Sequence, residues 1–109
     1  MSQGFVGVLV TDLLLEQSES LKDKRRVLLR LRSELHRATG AAVTESGSHD
    51  LQRRAELLVA VVARDAHGVS GLLDTAERVI ERGPFATVRI DRVVRSAQEL
   101  TEEGGSWHV

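Results

Sequence analysis

The residues with the clearest chemical potential in this chain are basic ones crowded into one predicted helix. Seven Lys and Arg side chains lie between Lys22 and Arg37, against two acidic ones, Asp23 and Glu34. The formal charge of the whole chain is −1, so the positive charge is a local feature. Clustered Lys and Arg side chains bind phosphates by charge attraction and counterion release. The segment therefore predicts contact with a polyanion such as RNA.

Apolar residues recur in this segment at intervals of three and four, which predicts a helix with one buried side. Positive charge in the first turns of a helix interacts unfavourably with the helix dipole and costs about 0.3–1 kcal/mol of stability per charge. Selection for stability alone would therefore favour acidic residues there. The candidate RNA- or anion-binding residues are Lys22, Lys24, Arg25, Arg26, Arg30 and Arg37. The alternative is a solvated face, neutralised by nearby acids, that only keeps the protein soluble.

A second cluster brings acidic, basic and imidazole groups together between two predicted strands. Its members are Glu45, His49, Asp50, Arg53 and Arg54. Such a mixture could form a small catalytic or anion-binding site. The alternative is a structural turn in which Asp50 pairs with Arg53 or Arg54. Because no catalytic motif accompanies the cluster, the chain is predicted to be non-enzymatic.

The composition excludes several classes of function. The chain has no Cys, which excludes disulfides, thiolate catalysis and Cys-based zinc sites. Its four His residues share no metal-ligand spacing, so neither a metal nor a cofactor is predicted. Aromatic residues make up 3% of the chain, too few to recognise RNA by stacking bases on a sheet. Any RNA contact is therefore expected to be electrostatic and to involve the helix.

The elements that must position these residues follow from hydrophobic periodicity and turn residues. Strands are predicted over residues 5–15, 41–46, 55–63 and 86–97, and helices over residues 21–39 and 66–82. Ser20 is predicted to cap the first helix and Gly40 to end it. The order strand, helix, strand, strand, helix, strand predicts a ferredoxin-like α+β domain over residues 1–100, with a four-stranded antiparallel sheet and both helices on one face. Residues 101–109 are predicted to be a mobile tail.

The first and third strands are apolar on both sides, although the helices can cover only one. An uncovered apolar sheet face usually marks a partner surface. We therefore expect a homodimer packed through the sheets, with Leu9, Leu13, Leu58, Ala60 and Val62 as the candidate contacts. Asp12, inside the first strand, is expected either to accept hydrogen bonds from neighbouring backbone amides or to pair with a basic residue such as Arg92 on the fourth strand.

Several segments of the sequence resemble a known bacterial family. They are residues 7–9, 12–13, 20–26 (Ser-Leu-Lys-Asp-Lys-Arg-Arg), Glu45, 50–51 and 54–57. These resemble the YlxP-like family, also called domain of unknown function 503, over about residues 5–94. The resemblance implies a ferredoxin-like fold. It also implies a role near the ribosome, since family members are typically encoded beside translation initiation and ribosome-maturation factors. Ser48 and Gln52 stand where members of the family usually have His and Trp, so no role for that His or Trp carries over.

The apolar stretch over residues 5–15 contains Asp12 and is shorter than the roughly 20 residues of a membrane span. No signal-peptide pattern surrounds it. The chain is therefore predicted to be cytoplasmic, with no membrane partner.

Overall fold

The protein is a layer of helices packed on one side of a single antiparallel sheet. The computed structural model describes residues 3–103 of the 109. Its elements are β1 (Phe5–Leu14), α1 (Leu21–Thr39), β2 (Ala42–Gly47), β3 (Arg54–Ala63), α2 (Ala66–Glu81), β4 (Ala86–Ser96) and α3 (Ala97–Glu103). The sheet order is β2-β3-β1-β4, with β1 and β3 in the middle. This confirms the predicted ferredoxin-like arrangement.

Capping residues fix both ends of α1. The backbone N–H of Asp23 donates to Ser20 Oγ at 3.0 Å, which satisfies one of the amides that a helix start leaves unpaired. At the other end, Gly40 adopts a left-handed conformation with φ of 72°, and its N–H donates to the carbonyl of His36 at 2.7 Å. Both predicted boundary residues of the helix are confirmed.

The core lies between the two long helices and one face of the sheet. α1 contributes Leu28, Leu31 and Leu35 to this core, and α2 contributes Val69, Leu73, Ala76, Val79 and Ile80. From β1, Leu9 and Leu13 are fully buried in the same cluster. The prediction that these two leucines lie on the uncovered face is therefore wrong.

The error for β1 has a simple physical origin. A strand that is apolar on both sides does not reveal which of its two alternating sets faces the helices. In the structure the odd-numbered residues face the helices, and Val6, Val8 and Val10 lie on the other side. The remaining candidates, Leu58, Ala60 and Val62, are on the uncovered face as expected.

A short helix, α3, follows β4 directly and was not predicted. Ser96 Oγ accepts the N–H of Glu99 at 3.0 Å, and the Glu99 carboxylate accepts the N–H of Ser96 at 3.1 Å. This reciprocal pair is a capping box. The backbone hydrogen bond from Ser96, followed by that of its hydroxyl, lowers the pKa of Glu99. The carboxylate therefore favours the folded helix at neutral pH, and this contribution is lost as the pH falls through the lowered pKa.

The predicted mobile tail thus begins inside α3, at Thr101. The rest of that predicted segment, including Trp107, lies outside the described residues.

Two glycines test how closely α2 approaches the sheet. A Cβ on Gly7 would lie 2.4 Å from Val69 Cγ1 and 2.9 Å from Leu73 Cδ1, whereas a Cβ on Gly71 would meet nothing within 4 Å. We expect Gly7→Ala to lower the free energy of unfolding by about 1–3 kcal/mol through overpacking. Gly71→Ala should raise it by about 0.5–1 kcal/mol, because alanine is the better helix former. Urea unfolding measures both, and an equal response of the two variants would contradict this packing.

Candidate nucleic-acid interface

The side of α1 that faces solvent carries almost all of the helix's positive charge. Leu28, Leu31 and Leu35 fix the rotation of the helix by burying the opposite side. The exposed Lys and Arg side chains, here called the basic face, are Lys22, Arg25, Arg26, Arg30, Arg32 and Arg37. The two acidic residues of α1, Asp23 and Glu34, lie on one flank, beside the connection between α2 and β4. The outward side of α1 therefore presents six cations, with the two carboxylates of the helix confined to one flank.

Most of this charge is uncompensated. Arg26 forms an ion pair with Asp23, three residues earlier on the helix. Within residues 3–103, the other five members of the basic face form no ion pair with a carboxylate. Unpaired guanidinium and ammonium groups keep their full attraction for an incoming phosphate. Within residues 3–103, Arg26 is thus the one member of the basic face that forms an ion pair with a nearby acid.

Lys24 does not belong to the basic face, and its prediction as an anion-binding residue is wrong. Only 1% of the surface of Lys24 is exposed to solvent. The Nζ donates to the carbonyl oxygens of Ser48 and Leu51, both at 2.7 Å, and lies 2.6 Å from Glu45 Oε2. The physical reason is position, because Lys24 is four residues before Leu28 and so lies on the buried stripe.

The contact between Lys24 and Glu45 is a short ion pair, with Nζ 2.6 Å from Oε2. The Glu45 side chain is 22% exposed, which leaves the carboxylate partly hydrated. We call Lys24 with Glu45 and the carbonyls of Ser48 and Leu51 the lysine anchor. It joins the start of α1 to the β2–β3 connection.

The β2–β3 connection has a strained backbone conformation at a residue that binds this lysine. Ser48 has φ of 61°, in the left-handed region that residues other than glycine rarely adopt. Its carbonyl accepts both Lys24 Nζ and the backbone N–H of Leu51, the latter at 3.1 Å. Two hydrogen bonds to the carbonyl oxygen of Ser48 thus hold this backbone conformation in place.

The second predicted cluster does not assemble into one site. Glu45 points to Lys24, while a ring nitrogen of His49 lies 3.0 Å from the backbone carbonyl of Glu45. Arg53 donates from Nε to the carbonyl of Ser18 at 3.0 Å. Asp50 and Arg54 are exposed, and neither forms an ion pair within residues 3–103. The expected pairing of Asp50 with Arg53 or Arg54 is therefore not formed, and the five side chains serve separate contacts.

Asp12 pairs with a basic residue of β4, as one of the two expectations had it, but that residue is Arg89 rather than Arg92. Its carboxylate lies 3.5 Å from Nε of Arg89, the residue opposite it on β4. Arg92 instead pairs with Asp74 of α2 at 2.8 Å.

Three side chains beside the predicted candidates complete the interface. Leu29 is 60% exposed between cations, and Arg32 and His36 are exposed on the same side. With Arg37 and the start of β2 they line a groove of about 610 Å³ between α1 and that edge strand. The signal for Arg32 was present in the sequence, since it follows Arg25 by seven residues and therefore shares its side of the helix.

The opposite flank of α1 has a different character. A cleft of about 820 Å³ lies between α1, the β1–α1 connection and the α2–β4 connection. Arg26, Arg30 and Arg82 line it together with the carboxylates of Glu19, Asp23 and Glu34. The cleft is mixed in charge, whereas the groove beside β2 is basic. A polyanion is therefore expected to follow the β2 side of the helix.

Among residues 3–103, no three His, Cys, Asp or Glu side chains are grouped so that they could hold a metal ion. No helix within that range combines the length and apolar character needed to cross a membrane.

Comparison with known proteins identifies a family and a fold. The model of the family described as "Protein of unknown function (DUF503)" matches residues 6–94. No curated protein matches the chain. The structural genomics protein YJCS is similar with a TM-score of 0.50 at 9% identity, over 81% of this chain and 96% of that chain.

Two designed proteins also match. De novo designed protein Foldit4 has a TM-score of 0.48 at 17% identity, over 85% of this chain and 96% of that chain. The designed protein LFR1 1, with a ferredoxin fold, has a TM-score of 0.39 at 22% identity, over 96% of this chain and 92% of that chain. At these identities a structural likeness concerns the fold alone.

Two lysines of the same helix test the lysine anchor. Lys24→Met should lower the free energy of unfolding by about 3–5 kcal/mol, because it leaves the Glu45 carboxylate and two carbonyls without their cation. Lys22→Met, which removes an exposed charge two residues away, should change it by no more than about 0.5 kcal/mol. Chemical denaturation compares the two variants. Equal destabilisation by both would show that Lys24 is not anchored as described.

Proposed function

We propose that this chain, which belongs to the DUF503 family, binds RNA through the basic face of α1, either free or on the ribosome. The observation that carries the proposal is the solvent-facing side of α1, where six Lys and Arg side chains are exposed and only Arg26 is paired with a carboxylate within the described residues 3–103. At 1.5 Å per residue, the 19 residues of α1 extend over about 28 Å, so several phosphates of one strand can be contacted at once.

The groove between α1 and β2 supports a defined path for the nucleic acid. Arg32 and Arg37 line this groove, while the acidic side chains of α1 lie on the opposite flank. Phosphates on the β2 side meet cations, whereas phosphates on the α2 side would also meet Asp23 and Glu34. RNA is therefore bound along the edge of the helix next to β2.

This mode of binding is electrostatic and independent of sequence. It needs no aromatic platform, which agrees with the low aromatic content of 3%. The exposed Leu29 adds an apolar contact between the cations. Such an interface recognises the spacing of phosphates and is expected to be strongly dependent on salt.

The choice of RNA over other polyanions rests on the resemblance to the YlxP-like family. Its members are typically encoded beside translation initiation and ribosome-maturation factors, which supports a cytoplasmic role close to the ribosome. The proposal assigns no catalysis to the chain. The support for this is the engagement of Glu45, His49 and Arg53 in three separate contacts.

A second candidate function is that of a protein-interaction module without nucleic-acid binding. The specific observation in its favour is the apolar side of the sheet, on which Val62 is 71% exposed and Val93 46% exposed. The two functions are compatible, because the sheet surface and the basic face lie on opposite sides of the fold.

The RNA-binding proposal is tested by reversing two charges of the basic face. Arg25→Glu combined with Arg32→Glu should weaken binding to a 20-base-pair RNA duplex by roughly fiftyfold at 0.1 M salt. Each phosphate contact contributes about 0.9 to the slope of log affinity against log salt, which is about 0.9 log units of affinity at 0.1 M relative to 1 M salt. A variant that loses the contact loses this contribution to affinity. The slope of log affinity against log salt should fall by about 2. Fluorescence anisotropy over a salt series measures both quantities.

The matched control reverses two exposed arginines elsewhere, Arg64→Glu with Arg78→Glu, and changes the net charge by the same amount. It should keep the wild-type slope and lose only a few-fold in affinity through the weaker overall field. The proposal fails if wild-type protein does not bind the duplex, or if both double variants lose the same affinity and slope.

A further inference from the structure

We propose that the uncovered side of the sheet is the interface of a homodimer, in which a second copy of this chain packs face to face with the first about a two-fold axis. The apolar residues on this side, here called the open face, are Val6, Val8, Val10, Leu58, Ala60, Val62, Val93 and Ala42. The inference does not depend on RNA binding, since no residue of the basic face takes part.

The strand register arranges the open face in rows that cross the sheet. Directly paired residues of antiparallel strands lie on the same side, so each row is read from the pairing. The central row is Ala42, Ala60, Val8 and Val93. The row on one side of it is Val62, Val6 and Arg95, and the row on the other side is Thr44, Leu58, Val10 and Asp91.

The two flanking rows are complementary to each other. A two-fold axis along the central row exchanges them between the two copies. Val6 then faces the partner's Val10, and Val62 faces the partner's Leu58. Arg95 faces the partner's Asp91, and symmetry repeats this opposite-charge contact a second time. The central row brings each of its members, Ala42, Ala60, Val8 and Val93, against its own copy.

Charge on this side of the sheet favours the chain's own copy over a charged partner. Three acidic residues (Asp12, Glu56 and Asp91) are matched by three arginines (Arg54, Arg89 and Arg95). A face of one sign would repel its own copy, whereas a balanced face does not. The Asp91 side chain is 67% exposed and contacts Arg89 at 3.2 Å, so it remains accessible to a second guanidinium.

The dimensions of the sheet suit a stable dimer. β1 and β3 have ten residues, β4 eleven and β2 six. At about 3.4 Å per residue and about 4.8 Å between strands, they cover roughly 600 Å². Two copies would bury about 1,200 Å², at the lower end of the size range of specific protein interfaces. The apolar centre with a charged periphery also matches the usual anatomy of such interfaces. Stacked sheets commonly pack with strands within about 30° of one another, as this axis requires.

The first test changes an exposed valine on the proposed axis. We expect wild-type protein to sediment at twice the mass of the chain at micromolar concentration. Val93→Lys should weaken the dimer about a hundredfold or more, because it opposes two ammonium groups across the axis. The control Leu29→Lys changes a similarly exposed apolar residue of α1 and should remain dimeric. A monomeric wild-type protein, or a Val93→Lys variant that stays dimeric, would overturn the proposal.

The second test addresses the axis itself. Arg95→Asp should raise the dissociation constant of the dimer about tenfold, because two opposite-charge contacts become like-charge contacts. Adding Asp91→Arg should restore the dimer, since the charges are exchanged while Arg89 keeps Asp12 as its partner at 3.5 Å. A double variant no tighter than Arg95→Asp alone would exclude this axis. Circular dichroism of each variant confirms that it is folded.

Measuring RNA binding by the dimer variant distinguishes the dimer proposal from the RNA-binding proposal. Val93→Lys should keep the salt slope of the wild-type chain per copy, because the basic face is unchanged. A variant that lost both the dimer and the salt slope would contradict the assignment of two independent surfaces.

Discussion

The buried ammonium group of Lys24 and the leucine stripe of α1 together fix which way the first helix faces. Lys24 Nζ is held by the carbonyls of Ser48 and Leu51 and by the Glu45 carboxylate, all of which belong to β2 or to the connection after it. Rotating α1 would separate this charge from its partners in a poorly hydrated site, which is costly. Because Lys24 is directed inward beside the leucine stripe, the other basic residues of the helix are directed outward. The basic face therefore depends on the one lysine that is excluded from it.

The sheet divides the molecule into two surfaces of opposite character. The helices cover one side of it, and α1 presents the basic face to solvent beyond them. The other side carries the rows of valine, alanine and leucine with a balanced set of charges at the ends. If two copies pack through that side, their basic faces lie on the two outer surfaces of the assembly. Each dimer would then offer two equivalent sites for RNA, which raises the effective affinity for a long strand.

Local signals were sufficient to predict the fold. The predicted strands and long helices agree with the structure within one or two residues, and Ser20 and Gly40 end α1 where their chemistry requires. α3 was not predicted, because it follows β4 directly and its own residues show no apolar helical periodicity. Its capping box of Ser96 and Glu99 was nonetheless visible in the sequence.

The errors in the candidate sites arise where a tertiary contact decides the outcome. The helical spacing of the sequence indicates that Lys24 lies on the apolar stripe of α1. It does not indicate its partners, because these come from residues 45–51. Leu9 and Leu13 could not be assigned to a side of the sheet, because both alternating sets of β1 are apolar. The helices select one set, partly since Gly7 allows Val69 and Leu73 to approach that side closely.

The most direct test of the central claim is to map where RNA touches the protein by nuclear magnetic resonance. A short RNA duplex would be titrated into uniformly ¹⁵N-labelled protein at low salt. The account predicts that the largest amide shift changes follow the exposed positions of α1 between Lys22 and Arg37 and the neighbouring edge of β2. Changes concentrated on the sheet residues Val8, Ala60 and Val93, or an absence of changes in α1, would contradict it.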